Sequence, residues 1–198
     1  MSDKTIHSTL QLLLDTAKEM ILERGCRATT LQDIADRSGL TKGAIYHYVK
    51  SKDELFALIL KTGMQNTDQL FWESTVQSHT GVEGPLFALS GRLSRLSNAG
   101  NVSNQIVIYL LSQKDKAAVA SILKDYYETS IEMSKKWIEV GQERGGVSTD
   151  LDAKKIARML TLIKYGLHVE NIITSGENVM EDRDIFEFMR NVIGKQSG

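Results

Sequence analysis

The chain carries one cysteine and one proline in 198 residues, and almost no net charge. A single thiol, Cys26, cannot close an intrachain disulfide, which points to a reducing compartment. Proline breaks helix interiors, so a lone Pro85 leaves room for long helices. A formal charge of −1, from 24 basic and 25 acidic residues, excludes a polycation that coats nucleic acid or membrane with its whole surface. The longest apolar runs, Leu55–Leu60 and Ile106–Leu111, have six residues each. A membrane-spanning helix needs about 20. Met1–His7 is polar and charged, unlike a secretory signal. The expectation is a soluble, cytoplasmic protein with no membrane partner.

What is present is an ordinary globular composition, 41% hydrophobic and 25% charged. A chain this long buries a core without staples. No convincing alternation of apolar and polar residues marks a strand, and no repeat is visible. Leu10, Leu13, Leu14, Ala17, Met20 and Ile21 recur at steps of three and four, which predicts a helix over 8–24 ended by Gly25. Thr30 opens a second helix as a weak capping-box match with Asp33, and Gly39 ends it. Thr41 caps a third, from Lys42 to about Val49. Ser51 and Glu54 form a full capping-box pattern that opens a long fourth helix toward Ser78. Further helices are expected at about 85–98, 102–113, 115–143, 152–175 and 182–194. The fold class is all-α.

Two short helices joined by a glycine-containing turn are the helix-turn-helix layout. The first braces the second, whose N-terminal residues enter the major groove. Ile34, Ala35, Leu40, Ile45 and Val49 supply a small core. Thr41, Lys42, Gly43, Tyr46 and His47 are left to face outward as hydrogen-bonding or small residues. From Arg24 to Lys52 there are six basic residues and two acidic ones, a local +4 in a chain of −1. Concentrated positive charge is the footprint of phosphate binding, although a solvated helical surface gives the same count.

The stretch from Thr29 to Leu55 closely resembles the DNA-binding domain of TetR-family transcriptional regulators. The helix before it, with Leu13-Leu14 and Ala17, also resembles that family's first helix. The resemblance covers about residues 9–56. Val49 stands where many members carry phenylalanine, Cys26 where many carry an aromatic, and Tyr48 where histidine is common. The resemblance implies that Lys42 and Gly43 approach base edges, that Tyr46 and His47 contact bases or phosphates, and that Thr30, Tyr48 and Lys52 hold phosphates. Lysine donates to guanine O6 and N7, and helix starts favour an anion. Alternatives stay open: Tyr46 and Tyr48 as packing residues, Thr30 as only a cap, Lys52 as only a solvated charge. The implied division is a DNA-binding domain at 1–52 and a larger helical effector-binding and dimerisation domain at 53–198.

In the second part, the helix near 152–175 carries two apolar stripes. One is Ala153, Ile156, Ala157, Leu160, Ile163 and Leu167; the other is Met159, Leu162, Gly166, Val169 and Ile173. A surface helix of a monomer needs one. The last helix repeats the theme with Ile185, Phe188, Met189 and Val192. Met159, Leu162, Gly166, Val169, Ile185, Phe188, Met189 and Val192 are therefore the expected homodimer face, in a four-helix bundle with the symmetry mate. A central, wholly buried helix in a monomer is the alternative. Tyr109, Tyr126, Trp137 and His168 are candidate contacts for an unidentified small-molecule effector, with a neutral or apolar one preferred because no arginines cluster.

The resemblance implies a ligand-responsive regulator, a repressor released by its effector, and a two-fold homodimer would bind an inverted-repeat operator in double-stranded DNA. Two other classes are an all-helical enzyme and a protein-interaction module with a DNA-binder-like N-terminus. Signatures of enzymes such as GxSxG and GxxxxGK[ST] are missing, and no catalytic residue is assigned. His7, His47, His79 and His168 have no metal spacing. Neither a metal nor a cofactor is expected.

Overall fold

Three small hydroxyl side chains set the N-terminal architecture. In a computed structural model describing residues 3–77, 101–174 and 182–193, helix α1 (Asp3–Ala28) breaks at Gly25, whose φ of 78° only glycine adopts readily. Thr30 caps α2 (Leu31–Ser38) with both arms of the capping box in place. The Asp33 N–H donates to Thr30 Oγ1 at 3.1 Å, and Asp33 Oδ2 accepts from the Thr30 N–H at 3.2 Å. Gly39 turns the chain with φ 68°, and Thr41 caps α3 (Lys42–Tyr48) by accepting from the Ala44 N–H at 3.2 Å. Ser51 caps α4 (Lys52–Gln77), accepting from the Glu54 N–H at 3.1 Å. The reciprocal arm differs from the sequence expectation: Glu54 Oε2 accepts from the Lys50 N–H at 2.7 Å.

The remaining described helices are α5 (Val102–Leu111), α6 (Ala117–Glu143), α7 (Ala153–Thr174) and α8 (Asp182–Ile193). The helix expected at 85–98 lies outside the described residues. Among the described residues there is no strand, and no helix is long and apolar enough to cross a membrane.

Two cores hold these helices. The first joins Leu13, Ala17, Ile21, Ile34, Ile45 and Val49 to Leu55, Phe56, Ile106, Val107, Leu110 and Val119. It runs without a break from the short helices into α5 and the start of α6. Val49 and Cys26, two of the departures from the family pattern, are both buried in it. The second core contains Phe71, Ile131, Ile138, Val147, Ile156, Ala157 and Leu167, with Ile185 and Met189 of α8. α4 passes from one core to the other, through Gly63 without interruption.

Candidate functional site

The face of α3 is free. Thr41, Lys42, Gly43, Tyr46 and His47 are all exposed, with Tyr46 at 55%. Ile45 is buried beneath them at 1% and anchors α3 to α2 and α1. The cap at Thr41 leaves the first N–H groups of α3 pointing outward, where they favour an anion. A β-carbon on Gly43 would meet nothing nearer than Thr41 Oγ1 at 3.9 Å, so this side of the backbone is open to a close approach. Tyr48 is half-buried against the first core, its ring edge-on to His47. Thr30 is exposed, and its hydroxyl also donates to Asp33 at 2.7 Å, which holds that carboxyl below its ordinary pKa.

The basic patch is thinner than the residue count. Arg24 pairs with Asp33 at 2.8 Å and Arg37 with Glu23 at 2.7 Å. Arg27, Lys42 and Lys50 are exposed and pair with no carboxylate among the described residues. Lys52 turns inward. Its Nζ donates to the Cys26 carbonyl at 3.0 Å and the Arg27 carbonyl at 3.2 Å, and lies 5.1 Å from the centre of the Tyr109 ring. Burial lowers its pKa. In this position it ties the start of α4 to the end of α1.

Tyr109 belongs to the same junction, away from the cavity described below. Its hydroxyl donates to Asp53 Oδ1 at 3.0 Å, and Lys116 approaches Asp53 Oδ2 at 3.5 Å. Burial and the adjacent carboxylate push Tyr109 up to about 12. Cys26, beneath this cluster, is pushed by burial to about 11 and is an inert packing thiol.

A cavity of about 120 Å³ lies between α4, α6 and α7. Of the four aromatic candidates, Tyr126 and Trp137 line it. Trp137 donates its indole N–H to Asp68 Oδ1 at 2.9 Å and stacks on Phe71 at 5.2 Å, fixing α6 to α4. His168 does not line it. That ring is 1% exposed, pairs through Nδ1 with Asn104 Oδ1, and has no partner for Nε2 among the described residues. Burial and nearby Lys164 lower its pKa to about 4. It is a neutral histidine linking α7 to α5. Sequence reasoning missed Lys164, Met64, Ser130 and Met133, which share the lining. The available signal was Lys164 itself, a charge four residues after Leu160 and three before Leu167, on a stripe otherwise read as apolar.

The two stripes of α7 separate. Ile156, Ala157 and Leu167 are buried, whereas Met159, Leu162, Val169 and Ile173 are 57%, 63%, 45% and 76% exposed. Gly166 is exposed between them. On α8, Phe188 and Val192 are each 48% exposed. Ile185 and Met189 do not join that face. They are 3% and 2% exposed and pack into the second core of their own chain.

A family model described as bacterial regulatory proteins, tetR family, matches residues 13–59. The HTH-type transcriptional repressor KstR2 of Mycolicibacterium smegmatis is 32% identical over 157 residues, covering 75% of this chain and 72% of that protein. The chain belongs to the TetR family. Two solved structures share its fold. Escherichia coli NemR in its reduced form superposes with a TM-score of 0.70 at 17% identity, covering 96% of this chain and 100% of that one. A complex of SmeT with triclosan gives 0.69 at 22% identity, covering 96% and 93%. The relatives are named as transcriptional regulators, and the matched residues 13–59 include α3 with its exposed face.

Proposed function

We propose that this chain is a dimeric, ligand-responsive transcriptional repressor acting in the cytoplasm. Residues 1–52 form the operator-binding unit, and residues 53–198 bind an effector and dimerise. The observation that carries the reading is the braced, exposed N-terminal face of α3, in a chain 32% identical to a repressor. Lys42 and Gly43 meet base edges; Tyr46 and His47 meet bases or phosphates; Thr30, Thr41 and Tyr48 hold the backbone. Lys52 acts on DNA indirectly, by fixing where α4 leaves the operator unit. Met159, Leu162, Gly166 and Val169 of α7 meet their symmetry mates beside Phe188 and Val192 of α8, forming a four-helix bundle.

The SmeT complex with triclosan supports a small-molecule ligand, and the cavity lined by Tyr126 and Trp137 is the place proposed for it. α4 is the transmission element. Its 26 residues span about 39 Å at 1.5 Å per residue. Asp53 at one end is held by Tyr109 and Lys116, while Asp68 and Thr75 at the other are held by Trp137 and Arg144. Leu60, Gly63 and Met64 between them border the cavity. A ligand that moves α4 therefore shifts the spacing of the two recognition helices. Typical couplings between such sites are about 1–3 kcal/mol.

The test is retention of fragmented source DNA, including DNA adjacent to the gene itself, by the purified protein. A few discrete fragments should be retained in a salt-sensitive manner and released by a member of a metabolite library. Retention of all fragments alike, or of none, contradicts the proposal.

A further inference from the structure

The cavity holds a charge that no carboxylate of the described residues neutralises. Lys164 lies on the inward face of α7, and its Nζ donates to Ser130 Oγ at 2.7 Å. It sits 4.4 Å from the centre of the Tyr126 ring and 5.4 Å from that of Tyr165. No carboxylate of the described residues comes within 4.0 Å of it. Asp68, which supports Trp137 beside the cavity, spends Oδ1 on the indole N–H. Burial alone brings the Lys164 pKa down to about 8, so the ammonium form still dominates at pH 7. A desolvated cation is costly until it is paired. Tyrosine faces and one hydroxyl compensate it only in part.

The rest of the lining divides by chemistry. Ser134 stands one helical turn after Ser130 and faces the same space, its hydroxyl bonded to no described group. Leu60, Met64, Met133 and Leu160 supply an apolar wall. Methionines adapt their shape to an occupant, which suits a cavity of about 120 Å³ that must widen slightly. One ammonium matches one negative charge. A phosphate dianion calls for more donors, of which arginine forks are the usual source.

We propose that the cavity takes a small amphipathic monocarboxylate, its carboxylate paired with Lys164 and the Ser134 hydroxyl and its alkyl part against Met64, Met133 and Leu160. This deepens, and rests on, the reading of the cavity as the effector site. It replaces the preference for a neutral ligand, because the charge that recognises the ligand is a single lysine on α7 and not an arginine cluster.

The experiment uses the full chain carrying Trp72→Phe, in which Trp137 is the remaining tryptophan of two. Hexanoate, octanoate and decanoate, with the matched alcohols and amines, are titrated while Trp137 emission is recorded. The acids should bind at least about tenfold more tightly than the alcohols, and the amines should not bind. Lys164→Met should abolish the preference for acids while still binding the alcohols, which also reports that the variant folds. Acids and alcohols binding alike to the unaltered cavity overturn the proposal, as does a preference for acids that survives Lys164→Met. In both cases the cavity still binds ligand and the effector-site reading stands. If no member of any series perturbs Trp137, both the proposal and the effector-site reading fall.

Discussion

Lys42 and Lys52 lie ten residues apart and serve different ends. Lys42 projects from the exposed start of α3, whereas Lys52 bonds two carbonyls of α1. Lys42→Ala should cost about 1–3 kcal/mol of operator affinity and relax preference at one symmetric base pair. Lys52→Ala should instead lower unfolding stability by about 1.5–3 kcal/mol, the range for hydrogen bonds to a charged group. Urea unfolding of both variants separates the roles, since Lys42→Ala should leave the midpoint unchanged. The sequence made both charges visible, but not the inward turn of Lys52. Its partners are 25 and 26 residues away, and no local periodicity reports them. His168 makes a second residue-scale case. Its folded pKa is depressed to about 4 from an ordinary 6.5. The unfolded chain therefore binds a proton first as pH falls. This contribution to stability is complete above about pH 6.5 and is lost as pH drops toward 4. At about pH 5.5 the loss is on the order of 1 kcal/mol. Unfolding at pH 7.5 and pH 5.5 should show wild type losing about that much more than His168→Gln. Equal losses contradict a neutral, buried His168.

At the scale of elements, helix boundaries were legible because caps and glycines mark them. Thr30, Thr41 and Ser51 all cap, and Gly25 and Gly39 both take positive φ. Gly39 sets the angle between α2 and α3, and a β-carbon there would meet nothing within 4 Å. The cost of a side chain at that site is therefore conformational. Gly39→Val should destabilise by about 1–2 kcal/mol, and Gly39→Asn by clearly less, because asparagine tolerates the left-handed region. Thermal unfolding checks the order of the two. The partition of apolar stripes was less legible. Periodicity placed Ile185, Phe188, Met189 and Val192 on one face of α8, but a face this broad straddles the edge of the core. The first and third turn inward, and the second and fourth remain exposed. Sequence spacing fixes which residues share a face, whereas the packing of α8 against the second core decides which half of it is covered.

For the whole molecule, the exposed stripe of α7 is the proposed dimer face. Met159, Leu162, Val169 and Ile173, all at least 45% exposed, form an apolar surface of the kind that marks an interface. Leu162→Glu should convert a dimer to monomers, read by light scattering at micromolar concentration, and weaken operator binding at least tenfold. The continuous first core gives α5 and α4 a direct hold on the operator unit. The sequence indicated both units but not this shared core, because α5 meets α1 across some eighty residues. The cavity was half legible: Tyr126 and Trp137 line it, while Tyr109 and His168 hold junctions elsewhere. Aromatic character alone does not tell a cavity wall from a helix contact.

The central claim is specific recognition of DNA by two copies of α3 related by a two-fold axis. The most direct measurement is the affinity of the purified protein for a selected inverted repeat and for the same duplex with one half-site scrambled, with chain stoichiometry read by sedimentation. Two chains, or a multiple of two, should occupy the intact repeat, and scrambling one half-site should weaken binding by about a hundredfold or more, as expected from several mismatched base pairs. Equal affinity for the two duplexes, or one chain per repeat, contradicts the account.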